Sequence, residues 1–137
     1  MAFLTRKKKL SRRMTKTLCM VVDDSAVVRK ISRKILEGIG FGVIEAENGQ
    51  HALEIAKQQL PKFILLDWNM PIMNGLEFIR EFRKTHNPDD VKVIFCTTEN
   101  DIIKIMTAME AGANEYIMKP FDEEIIKTKL MQMGLLV

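Results

Sequence analysis

Phe63-Ile64-Leu65-Leu66-Asp67-Trp68-Asn69-Met70-Pro71-Ile72-Met73-Asn74-Gly75 runs an unbroken apolar stretch straight into an acid and then into a Met-Pro loop. A continuous apolar run of this length suits a strand covered on both faces, as in a parallel sheet, rather than one with a wet face. Asp67 stands where that strand ends, and in open α/β sheets ligands gather just beyond the carboxyl ends of the strands. Taken alone, an Asp in this place is more often a turn or helix-capping residue. The residues at the other strand ends decide between the two.

From Thr17 onward, apolar runs alternate with amphipathic stretches, which predicts five strand and helix pairs and so a parallel α/β sheet. The first strand covers 17–22 and ends at Asp23 and Asp24. A helix then opens at Ser25, with Val28, Ile31, Ile35 and Ile39 facing inward and Gly38 and Gly40 helping to end it. A second strand over 41–46 leads to a helix from Asn48, with Leu53, Ala56 and Leu60 inward until Pro61 stops it. After Gly75 a third helix buries Phe78, Ile79 and Phe82 and leaves Arg80, Arg83 and Lys84 to water. The fourth strand, 91–96, ends at Thr97 and Thr98. Its helix starts near Asn100, carries Ile102, Ile105, Met106 and Met109 at helical spacing, and closes at 111–113. The last strand, 115–118, runs into Lys119-Pro120, and a helix from Asp122 buries Ile126, Leu130 and Met133.

A chain of 137 residues suits one domain with a substantial core, and no apolar run approaches the ~20 residues of a membrane span. The expectation is a cytoplasmic protein without a membrane span or a DNA-binding domain. Net charge is +3, but Arg6, Lys7, Lys8, Lys9, Arg12 and Arg13 crowd the start; without them 15 basic residues face 18 acidic ones. Such a segment can bind nucleic acid or anionic lipid, and it also has the Arg-rich, acid-free character of a transit peptide. The favoured expectation is a disordered extension over 1–15 without a partner, with Met14 as the natural start and the folded domain over 16–137. The ten methionines read as core gap-fillers, and His51 and His86 as solvated, since neither has Cys or His at ligand spacing. Cys19 and Cys96 fall in strands and read as reduced.

The strand ends bring Asp23, Asp24, Asp67, Thr97 and Lys119 to one edge of the sheet. Carboxylates packed there repel by about 4 kcal/mol per pair at ~4 Å and an effective dielectric near 20. A hard divalent cation relieves that cost, and Mg²⁺ typically takes one or two carboxylates together with waters and phosphate oxygens. The set therefore reads as carboxylate, cation, hydroxyl and ammonium around a phosphoryl group.

On VVDDS at 21–25, LLDWNMPIMNG at 65–75, Thr97, and KPF at 119–121, the chain resembles the receiver domains of two-component response regulators, in particular the stand-alone chemotaxis regulator type. The resemblance covers 17 to about 133. It implies a doubly wound, flavodoxin-like sheet of order 2-1-3-4-5 with helices on both faces, the order known for that fold and adopted here by resemblance. With strand 3 between strands 1 and 4, Cys19 and Cys96 would stand ~10 Å apart, beyond disulfide reach.

The resemblance implies that Asp67 accepts a phosphoryl group from a histidine kinase or histidine phosphotransfer protein. Asp24 and Asp67 would hold Mg²⁺, or Mn²⁺ in its stead, with the Asn69 backbone carbonyl, and Asp23 through water. Lys119 would neutralise phosphoryl oxygens, and the Lys119-Pro120 bond would be cis. The protein would catalyse its own Mg-dependent phosphorylation and dephosphorylation without being a conventional enzyme. Thr97 and Tyr116 would form a switch that alters binding of an unknown effector through the face of helix 4, strand 5 and helix 5. Asn69 and Glu99 occupy the family's rate-tuning positions and match the chemotaxis type. Thr98 replaces the usual Ala or Gly and could narrow access to Asp67. An alternative is a phosphotransfer sink that drains a shared kinase without an effector. An aspartyl phosphatase of the haloacid dehalogenase type is disfavoured, because it needs a second acid where Asn69 stands.

Overall fold

The computed structural model describes residues 16–98 and 102–137. The expectations for the extension at 1–15, for Glu99 and for a helix start near Asn100 lie outside the described residues.

The strands β1 (Leu18–Val22), β2 (Gly42–Ala46), β3 (Phe63–Asp67), β4 (Lys92–Thr97) and β5 (Glu115–Met118) form one parallel sheet of order β2-β1-β3-β4-β5. Between and after them run α1 (Ala26–Ile39), α2 (Gly49–Gln58), α3 (Gly75–Phe82), α4 (Ile102–Glu110) and α5 (Glu123–Gln132). The period-two alternation of a strand explains why the apolar runs are continuous. Met20, Val22, Ile64, Leu66, Val93 and Phe95 point to one face, against Ala52, Ala56, Phe78, Ile79, Phe82 and Ala108 of α2 to α4. Cys19, Val21, Phe63, Leu65, Ile94, Cys96 and Ile117 point to the other, against Leu36 of α1 and Ile126 and Leu130 of α5. Both faces of β1, β3 and β4 are dry, so in these strands neither register nor face can show as a polar alternation, whereas β5 leaves Tyr116 and Met118 exposed.

Helix starts follow local chemistry. The Ser25, Asn48 and Asp122 side chains accept from Val28 N, His51 N and Ile125 N, each satisfying an otherwise orphaned donor. Asn74 and Glu77 form a reciprocal capping box at α3. Gly40 ends α1 at φ 123°, with Phe41 N donating to Leu36 O. Cys19 and Cys96 are both free and buried; Cys19 is level with Phe63 and Cys96 with Asp67, so they are offset along the strands as well as across them.

Several expected placements are corrected. The buried line of α1 is Ser32 and Leu36, while Ile31 is exposed beside a surface groove. Leu60 is exposed because α2 ends at Gln58, before its turn of the face. Arg83 is not solvated: it caps α3 and donates to Gly112 O, Val91 O and Asn114 Oδ1 at 2.9, 2.8 and 3.0 Å, tying α3 to the loop before β5. His86 stacks on Phe82 and half-buried His51 accepts from Glu47 N, so neither histidine is simply solvated. Met106, Met109, Met118 and Met131 are exposed rather than core residues, in contrast to Met20, Met70, Met73 and Met133. No helix among the described residues is long and apolar enough to cross a membrane.

Candidate functional site

Parallel register carries the polar residues to one edge. Val22 pairs with Leu66, Asp67 with Cys96 and Thr97 with Met118, so the residues that follow β1, end β3 and β4, and follow β5 emerge together. Asp23 is buried, its Oδ1 accepting from Ser25 N at 2.9 Å and its Oδ2 from Lys119 Nζ at 2.8 Å. The same ammonium donates to Asp67 Oδ1 at 3.2 Å, which also accepts from Trp68 N at 2.9 Å. Asp24 is exposed, yet one carboxylate oxygen from each of Asp23, Asp24 and Asp67 lies within 4.8 Å of the others.

Burial raises the Asp67 carboxyl above the usual carboxylate range; Lys119 pulls it back, while the Asp23 charge pushes it further up. For Lys119 burial acts downward, but the hydrogen bond to Asp23 and the attraction of Asp67 leave its ammonium held more firmly than usual. The donor set is all oxygen, acidic and crowded, which suits a hard divalent cation such as Mg²⁺ and not a softer metal preferring nitrogen or sulfur.

The loop after β3 folds back tightly. Gly75 N donates to Trp68 O at 3.0 Å, and a Cβ at Gly75 would fall 2.3 Å from Asp67 O. Only glycine fits so close to the backbone of Asp67. That requirement leaves no pattern in the sequence beyond the glycine itself. Asn69 is exposed in this loop.

Thr97 is buried, and its carbonyl accepts from Lys119 N at 2.8 Å. Thr98 is exposed and borders a groove of about 370 Å³ lined by Val28, Ile31, Lys119, Pro120 and Phe121. The Lys119-Pro120 bond is cis. Tyr116 is not part of the cluster: it stands outward, 37% exposed, its ring 5.9 Å from Lys129 Nζ. A gap of only about 10 Å³ is bordered by Tyr116 and Thr97 together with Trp68, Phe95, Lys104, Ile105 and Ala108.

The family described as "Response regulator receiver domain" matches residues 19–131. The chain belongs to this family of two-component signalling modules, in which phosphorylation of an aspartate is the general function and Mg²⁺ the general metal. Within it the chain is CheY-like. It is 41% identical over 113 residues to the "Chemotaxis protein CheY homolog" of Campylobacter jejuni, covering 81% of this chain and 87% of that one. It is 39% identical to "Chemotaxis protein CheY1" of Helicobacter pylori, over 81% of this chain and 91% of that one. Its fold is similar to that of Vibrio cholerae chemotaxis protein CheY4, with TM-score 0.81, 29% identity, and coverage of 86% of this chain and 98% of that one.

Proposed function

We propose that Asp67 is the phosphoryl acceptor of a phosphorylation-operated binding switch, fed by a histidine kinase or histidine phosphotransfer protein. The observation that carries this reading is the Lys119 ammonium bridging Asp23 and Asp67 at the carboxyl edge of the sheet, with Asp24 alongside. In the transfer, an Asp67 oxygen attacks phosphorus, the P–N bond to the donor imidazole breaks with its electron pair leaving on nitrogen, and an acyl phosphate forms. Such a reaction is governed by positioning and charge stabilisation. Lys119 already sits at one Asp67 oxygen, where it would neutralise the arriving phosphoryl group.

Asp24, Asp67 and the Asn69 carbonyl are the residues that would hold Mg²⁺. Both Asp23 oxygens already accept hydrogen bonds, which suits a contact through water. When bound, the cation neutralises negative charge at the acceptor and the phosphoryl oxygens.

The output face we assign is α4, β5 and α5. Ile102, Ile103 and Met106 are exposed there at 70%, 71% and 57%, with Tyr116, Met118 and Ile125 beside them. An apolar surface of this kind marks a contact site rather than a solvated face. Thr97 would bond the phosphoryl group, and the loop to α4 would follow. The gap behind Tyr116 has room for about one water, so its ring can enter only if residues lining the gap move. Thr98, Asn69 and Glu99 are proposed to tune access and phosphoryl lifetime. The working unit we assign is residues 16–137.

Trp68 follows Asp67 directly and packs on Phe95 with ring centroids 5.3 Å apart. Its fluorescence is expected to change on adding Mg²⁺ and again on adding beryllofluoride. A folded protein whose emission responds to neither contradicts the proposal.

A further inference from the structure

Resting on the reading of the acidic cluster as a divalent-cation site, we propose that Arg29 is a positioning residue for that site. Its guanidinium, aimed by Glu45, fixes the backbone from which Asp23 and Asp24 project. Arg29 NH1 donates to the Asp23 carbonyl at 2.7 Å, while Arg29 Nε donates to Glu45 Oε1 at 3.1 Å. The Arg29 side chain is only 13% exposed. Glu45 lies on β2 and Arg29 on α1, so the pair spans from the neighbouring strand to the turn carrying the cluster. Asp23 N meanwhile donates to Ala46 O at 3.1 Å, holding the preceding peptide unit from the β2 side.

Glu45 is itself engaged twice. Burial acts to raise its carboxyl, but the hydrogen bonds from Arg33 and Arg29 outweigh this and leave it below the ordinary range, hence ionised at neutral pH. Arg33 donates to Glu45 and to Val43 O, joining α1 to β2 as Arg29 does, yet it bonds to nothing in the Asp23 turn. This makes Arg33 an internal control. A role that is only structural predicts similar consequences for the two arginines. An electrostatic role through distance predicts that losing either cation tightens Mg²⁺ binding, because a positive charge near three carboxylates is removed. Positioning predicts the opposite sign, and for Arg29 alone.

The test is calorimetric titration of Mg²⁺ into wild type, Arg29→Ala, Arg29→Lys and Arg33→Ala, with thermal melts in chelator to establish folding. Lysine keeps the charge but cannot hold the Asp23 carbonyl and Glu45 together through one planar fork. Both Arg29 variants are expected to bind Mg²⁺ about tenfold more weakly, the scale seen when residues orienting metal ligands are lost. Arg33→Ala should stay within about twofold of wild type. Unchanged or tighter binding in folded Arg29→Ala, or an equal loss in Arg33→Ala, overturns the inference while leaving the site's metal reading intact. Absence of Mg²⁺ binding by wild type itself contradicts the metal reading and this inference with it.

Discussion

The Lys119 ammonium, delivered after β5, lies 3.2 Å from Asp67 Oδ1 at the end of β3, reaching across the intervening strand β4. It partly offsets the repulsion between Asp67 and Asp23, but burial still leaves the Asp67 carboxyl raised. A raised folded-state value means that the folded protein holds the proton more tightly than the unfolded chain. Ionised Asp67 therefore costs stability, a cost absent below the ordinary value of 3.8 and complete once pH exceeds the folded value. Asp67→Asn removes it. The expected result in chelator near neutral pH is a higher denaturation midpoint for the variant, a gain that fades in acid and shrinks when Mg²⁺ is added. Destabilisation of equal size with and without metal contradicts this account of the cluster.

Ile72 carries a different cost. It is a β-branched residue at φ 68° and 81% exposed, and Met73 N donates to Pro71 O across it at 2.7 Å, the pattern of a γ-turn with a positive-φ centre that no burial offsets. Such strained backbone costs roughly 1–3 kcal/mol for a residue with a Cβ and far less for glycine. Ile72→Gly should therefore stabilise the protein by about 1 kcal/mol in urea unfolding. A neutral or destabilising result would mean that the side chain is held by contacts the exposed position does not suggest.

Burial pushes the thiols of both Cys19 and Cys96 up to about 12, so almost no thiolate exists at neutral pH. Both are expected to resist an aromatic disulfide reagent in the native state and to react fully in denaturant. Rapid labelling of either thiol in folded protein contradicts the packing of the α1–α5 face.

The strands β1, β3 and β4 were readable because both of their faces are dry: each buried run ends at a polar residue, and Asp23, Asp67, Thr97 and Lys119 announce the edge. Helix starts were readable from Ser25, Asn48 and Asp122, whose side chains act locally. Strand order was not, because uniformly apolar strands carry no neighbour code; it came by resemblance. Arg83 was misplaced because polarity and periodicity assign an arginine to water, whereas its partners are carbonyls brought together only by the fold. Ile102, Ile105, Met106 and Met109 stand at helical spacing, yet that spacing does not distinguish a face meant for the core from one left for a partner, and Ile102 and Met106 are exposed. Arg29 escaped notice for a related reason: its bond to the Asp23 carbonyl is backbone chemistry that side-chain patterns do not encode.

The central claim is that Asp67 accepts the phosphoryl group, and mapping the acyl phosphate tests it most directly. Wild type and Asp67→Asn would be incubated with Mg²⁺ and a small-molecule phosphoramidate donor, the product trapped with borohydride, and its peptides sequenced by mass spectrometry. The account predicts modification at Asp67 in wild type and none in Asp67→Asn, with omission of Mg²⁺ abolishing the signal. Modification at another residue in wild type, or an undiminished yield in Asp67→Asn, would contradict it.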